Sequence, residues 1–182
     1  MNMIKSLTMS AVVSAALLFF AAPASAKGTA AKLTDPEIAN VAVVANQIDI
    51  DAGELAMKKS TDPAVKKFAQ TMINDHKAVI AQATALVTKL HVTPQDNALS
   101  KTLMGEAKKT EKSLAAKSGK AFDKAYIDNE VAYHRAVIAT VQNTLIPDAQ
   151  NKELKALLEK ALPMFKAHLA HAEMMQKEYA HK

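Results

Sequence analysis

The chain predicts an all-α fold built as a bundle of long helices, on three observations. Only 4 of its 182 residues are glycine, and the Ala, Leu, Lys and Glu that dominate it are strong helix formers. Apolar residues recur at steps of three and four over long runs, with no alternation to suggest a strand. The runs are divided at Asp35-Pro36, Asp62-Pro63, the HVTPQD segment over 91–96, Ser118-Gly119 and Pro147-Asp148, residue types that start and stop helices.

The first 26 residues precede this pattern. Lys5 supplies a short positive region, residues 8–22 an apolar stretch, and Ala24-Ser25-Ala26 a small-x-small cleavage site, which together predict a signal peptide removed on export. Residues 27–34 read as a disordered tail, 35–178 as one bundle domain and 179–182 as a frayed end. The apolar stretch is short for a membrane span, and charges interrupt every later one. The expected product is exported and periplasmic, free or associated with the outer membrane or a membrane surface, with no transmembrane segment in the mature chain.

The first helix starts at Asp35-Pro36, carries Ile38, Val41, Ala45, Ile48, Ala52 and Leu55 on one stripe, and stops near Ser60. Thr61-Asp62-Pro63 caps a second helix with the stripe Val65, Phe68, Met72, His76, Val79, Ala83, Leu86 and Leu90. So short a link predicts an antiparallel hairpin. After the 91–96 break comes a shorter, lysine-rich helix with Leu99, Leu103 and Leu114, interrupted at Gly105. It is too polar for a full core helix and suits a crossover. The fourth helix, about Lys120 to Leu145, carries Ile127, Val131, His134, Ile138, Val141 and Leu145. Pro147-Asp148 turns the chain into the fifth, with Leu154, Leu158, Phe165, His168, Ala172 and Met175 on its stripe and a kink expected at Pro163. Two hairpins joined by a long connection containing a small helix predict the ferritin-like form of the four-helix bundle, in which the second and fourth helices run parallel.

Composition excludes several functions. Cysteine is absent, so disulfides, thiolate ligands, cysteine nucleophiles and a lipid-anchor cysteine are absent too. A net charge of +5 with 4% aromatics and no tryptophan offers no stacking platform, which argues against nucleic-acid binding. No phosphate loop, catalytic triad order or paired catalytic acids stand out.

The strings DPAVKKFAQTMINDH, GKAFDKAYIDNEVAYH and LPMFKAHLAHAE resemble the bacterial domain of unknown function 4142 family. The resemblance spans roughly residues 35–178 and rests on Asp75-His76 after Met72, Phe122-Asp123 with Tyr126, His134, and Leu162-Pro163 before His168. It implies a ferritin-like helical bundle in the cell envelope and no particular reaction. The outer-membrane label often attached to the family has no support in barrel strands here.

His76, His134 and His168 each fall on the apolar stripe of a different helix, and an inward imidazole needs a partner for its nitrogens. None of these three histidines stands in the Glu-x-x-His pair of a standard di-iron bundle. At 1.5 Å of rise per residue, His76 and His134 each lie about 14 residues into parallel helices, with Asp49 within roughly 5 Å of that height. Glu130, four residues before His134, shares its face. The expectation is a middle layer of Asp49, His76, Glu130 and His134. Counting about 20 residues into the fifth helix for His168, and about 11 back from the end of the fourth for His134, separates the two by on the order of 13 Å. One ion is then not expected to bind both, and His168 joins an end layer of Glu54, Asp123, Tyr126 and His171. Either layer could hold a transition metal such as zinc, copper or iron through imidazole and carboxylate, fix helix register as a buried polar cluster, or respond to protons. The functional expectation is an exported metal-binding or envelope-stress bundle. The alternatives are a redox enzyme with a non-standard dinuclear centre and a structural or interaction bundle with register-fixing histidines.

Overall fold

The computed structural model describes residues 32–180. The expected signal peptide, most of the tail and the last two residues lie outside them. The described residues are helical almost throughout: α1 (Asp35–Lys59), α2 (Pro63–Lys89), α3 (Ala98–Ala115), α4 (Gly119–Thr140), a π-helical segment (Val141–Leu145), a single turn α5 (Ile146–Asp148) and α6 (Lys152–Tyr179). None of these helices is long and apolar enough to cross a membrane.

Local chemistry sets the boundaries. The Thr34 N–H donates to the Glu37 side chain at 2.9 Å, which satisfies one of the donors a helix start leaves over. Asp62 accepts from the Ala64 N–H with Pro63 in the first turn of α2. Asn97 and Ser100 cap α3 reciprocally, and the Asn151 side chain accepts from the Glu153 and Leu154 N–H groups to open α6. Gly119 begins α4 at φ +54°, a left-handed conformation that glycine adopts without strain.

The helices pack as a bundle. Gly53 of α1 abuts Ala69 and Ile73 of α2, while Asn46 meets His76; partners move apart in sequence, so α1 and α2 are antiparallel. Arg135–Glu173 and Asp128–Gln176 relate α4 and α6 in the same way. Phe68 faces Tyr126 and His76 faces His134, a constant offset that makes α2 and α4 parallel. The short α3 packs over α1 and α4, with only Ser100 and Leu114 buried. Asp35 accepts from the Gln150 and Asn151 N–H groups, and Asp148 from that of Leu33, tying the start of α1 to the α5–α6 corner.

Two apolar clusters form the core. One gathers Phe68, Met72, Phe122, Tyr126 and Ile127, the other Ile38, Val41, Ile138, Leu158 and Phe165. A layer of buried polar side chains lies at the level between them.

Three local expectations are corrected. Gly105 does not interrupt α3, because it is exposed with nothing within 4 Å of where its Cβ would be, so the helix loses only propensity there. The fourth helix does not end as a plain α-helix at Leu145: it widens into the π segment and takes one further turn through Pro147, whose ring suits a first turn. The last helix therefore starts at Lys152, where Asn151 caps it, and not at Pro147-Asp148.

Candidate metal centre

Each of the four long helices sends at least one polar side chain to the middle of the bundle, among them Asp49 from α1, His76 from α2, His134 from α4 and His168 from α6. All four are buried, as is Glu130. One nitrogen from each imidazole lies within 4.8 Å of one from the others, and Asp49, Glu130 and His134 form a second such group. The Asp49 Oδ2 stands 3.6 Å from the Nε2 of His76 and 3.6 Å from that of His134.

Each ring is held from behind. The Asn46 amide donates to the Ala42 carbonyl, which turns its oxygen toward His76, and that oxygen accepts from His76 Nδ1–H at 2.7 Å. The Glu130 carbonyl accepts from His134 Nδ1–H at 3.0 Å, with the Glu130 carboxyl 3.5 Å from the same nitrogen. Asp75 accepts from His168 Nε2–H at 2.9 Å. A nitrogen that donates fixes the tautomer and leaves the other as a lone pair. The free nitrogens are thus His76 Nε2, His134 Nε2 and His168 Nδ1, all buried without a hydrogen-bond partner, as are both oxygens of Asp49, whereas the Glu130 carboxyl and the Tyr126 hydroxyl face each other. His76 also stacks on Phe165, 5.6 Å between centroids at 13°.

Burial dominates the electrostatics. It raises the Asp49 carboxyl to about 8. It lifts Glu130 well above the usual carboxylate range, with Asp49 adding to the effect. It lowers His134 to about 4 and, with repulsion from the other two rings, His76 to about 2. His168 is also lowered by burial, which its bond to Asp75 partly opposes. The imidazoles are neutral at neutral pH and offer lone pairs without first shedding a proton.

The two expected layers are one layer and a remainder. His168 does not stand on the order of 13 Å along the bundle from His134: their ring centroids are 5.4 Å apart, and 5.3 Å separates His168 from His76. The positions of the helix ends account for this. His134 lies 14 residues before Asp148 and His168 16 residues after Lys152, nearly level across the corner. Of the other end-layer residues, Glu54 pairs with Lys77 at the surface. His171 is exposed, its ring edge-on to Phe68 at 5.0 Å. Asp123 is buried beside a cavity shared with Asp62, Lys120 and Tyr179. Tyr126 is fully buried, close to the Glu130 carboxyl. Sequence reasoning missed Asn46, although an amide three residues before Asp49 on the buried face was a readable signal.

The profile of the family described as Domain of unknown function (DUF4142) matches residues 20–175. No curated protein matches the chain. Among solved structures, the chain is similar to a DUF305 protein from Streptomyces coelicolor, at TM-score 0.67 and 13% identity over 79% of this chain and 92% of that one. It is also similar to CopM in its Cu(II)-bound form, at TM-score 0.61 and 19% identity over 80% and 98%. The Ag-bound form of CopM matches at TM-score 0.61 and 18% identity over 81% and 98%.

Proposed function

This chain belongs to the DUF4142 family, and we propose that it is an exported, ferritin-like four-helix bundle whose core binds one transition-metal ion through His76, His134, His168 and Asp49. The observation that carries this reading is the set of unpartnered lone pairs. An unmade hydrogen bond on a buried polar atom costs about 1–3 kcal/mol, and the middle layer holds five such atoms on Asp49 and the three histidines. A register-fixing polar cluster would pair them with one another; an ion satisfies several at once.

The Asp49 contacts have the spacing such an ion needs. Ligand bonds of about 2.0–2.2 Å in a tetrahedron put donor atoms about 3.3–3.6 Å apart, close to the 3.6 Å from the Asp49 oxygen to two ring nitrogens. Three imidazoles and a carboxylate suit zinc or copper(II) better than copper(I), which prefers sulfur. Asp75, behind His168, acts as the carboxylate that orients a ligating histidine, a role that the Asn46 amide oxygen takes for His76 and the Glu130 backbone carbonyl for His134. The buried charge also balances: a divalent ion with Asp49 and Glu130 both ionised is neutral. Such a site acts as a Lewis acid when loaded; the full burial of its residues favours holding an ion over turning over a substrate. Export rests on residues 1–26 and on a mature chain without cysteine.

The test is elemental analysis and calorimetric titration of untagged protein with Zn(II) and with Cu(II), the latter chosen because a structure of similar fold is Cu(II)-bound. One equivalent is expected in the wild type, with affinity falling at least 100-fold in His76→Ala, His134→Ala and His168→Ala. Wild-type protein that binds neither ion, or three variants that bind like wild type, would refute the metal centre.

A further inference from the structure

The three imidazoles are not held alike. His76 and His134 are pinned inside the bundle: the partner of one is Asn46, itself buried, and that of the other is a backbone carbonyl of its own helix. Their side chains are 3% and 1% exposed. His168 is 6% exposed, and the carboxylate that holds it, Asp75, is 42% exposed. His168 is thus the metal-facing ring whose anchoring bond can exchange directly with water. It sits on the seam between α2 and α6, while α3 packs on the α1 and α4 side. Pro163 lies within α6, five residues before His168. Having no N–H, it leaves the Glu159 carbonyl without its helical donor, which loosens α6 at that point.

We infer that His168 is the moving ligand through which the ion enters and leaves, and that Asp75 is the latch that holds this ring closed over the site. The inference rests on the metal centre proposed above. With the Asp75–His168 bond broken, the ring turns outward along the α2–α6 seam while Asp49, His76 and His134 stay as a fixed three-ligand cup. Arrival of the ion and return of the ring complete the fourth bond. Asp75 is a positioning residue: it touches the ligand and not the ion.

A latch and a purely affinity-setting partner differ in kinetics. Weakening a partner that only orients a ligand speeds release and leaves association unchanged. Weakening a latch also raises the population of the open ring in the metal-free protein, so association speeds up too. The experiment is stopped-flow measurement of Zn(II) uptake, and of release into excess chelator, on full-length protein. It is run at about 0.5 M salt, so that loss of a surface charge contributes little. Asp75→Asn keeps an acceptor for His168 Nε2–H without the charge, whereas Asp75→Ala removes both. Association in Asp75→Ala should exceed that in Asp75→Asn by at least threefold, with release faster by tenfold or more. Asn46→Ala, which loosens the buried His76, should accelerate release alone. Equal association rates in the two Asp75 variants, or faster association in Asn46→Ala as well, would overturn the latch with the metal centre still standing. Absence of any Zn(II) uptake by the wild type would remove the centre itself.

Discussion

Asp49 is the residue on which opposing demands meet. Burial lifts its carboxyl from an ordinary 3.8 to about 8, so the folded state binds its proton more tightly than the unfolded chain does. Stability from this group is full below about pH 4 and is lost as pH rises through about 8. The histidines run the other way. His134 at about 4 and His76 at about 2, against an ordinary 6.5, contribute stability above that ordinary value and lose it as pH falls through their folded values. Between about pH 6.5 and pH 9 the histidine contribution is flat and the Asp49 one falls. Metal-free wild type should therefore lose melting temperature across this window, and Asp49→Asn should lose clearly less. Thermal melts in chelator decide it; parallel slopes would show that Asp49 does not hold a proton in the folded state. At this scale the histidines were legible in the sequence, since an imidazole on an apolar stripe stands out. Asn46 and the role of Asp75 were not, because only the fold shows which ring nitrogen each one faces.

The helices decide where those residues meet, and two glycines measure how. Gly53 lets α1 approach α2: a Cβ there would stand 2.9 Å from the Ile73 Cγ1 and 3.2 Å from the Ala69 carbonyl oxygen. Ile73 could shift but the backbone could not, so Gly53→Ala should destabilise by about 1–3 kcal/mol. Because Asn46 and Asp49 ride on the same helix, it should also weaken metal binding. Gly105 lies in exposed mid-helix with open space around it, and Gly105→Ala should stabilise by about 0.5–1 kcal/mol. Urea unfolding of the metal-free variants tests both, and the same sign for the two would contradict the packing described. The starts of α1 and α2 were readable from Asp35-Pro36 and Thr61-Asp62-Pro63. The π segment and the extra turn before α6 were not, since neither leaves a mark in apolar spacing. Those few residues moved His168 from an expected end layer into the middle one.

Over the whole molecule, an ion held as proposed, by one side chain from each long helix, would tie the bundle together. Anything that binds only the folded state stabilises it by mass action, about 2.7 kcal/mol at a free concentration 100 times Kd. In a bundle of this size that corresponds to a rise in melting temperature of roughly 5–10 °C, growing with ion concentration. Calorimetric melts of wild type with and without Zn(II) should show it, and His134→Ala should show none. A wild type whose melting temperature ignores the ion would count against a site that spans all four helices.

The order of local signals along the chain determined the all-helical class, the starts of α1 and α2, the family resemblance and the choice of His76, His134 and His168 as the residues to watch. Those features depend on neighbours a few positions apart, which composition and periodicity record. The tertiary structure alone decided that the three rings converge, which nitrogen of each is left free, and that His168 is tethered to a solvent-facing carboxylate. Convergence depends on where helices end and how deep they pack. An offset of a few residues at one corner shifts a side chain by a turn of helix, and apolar periodicity does not register that offset.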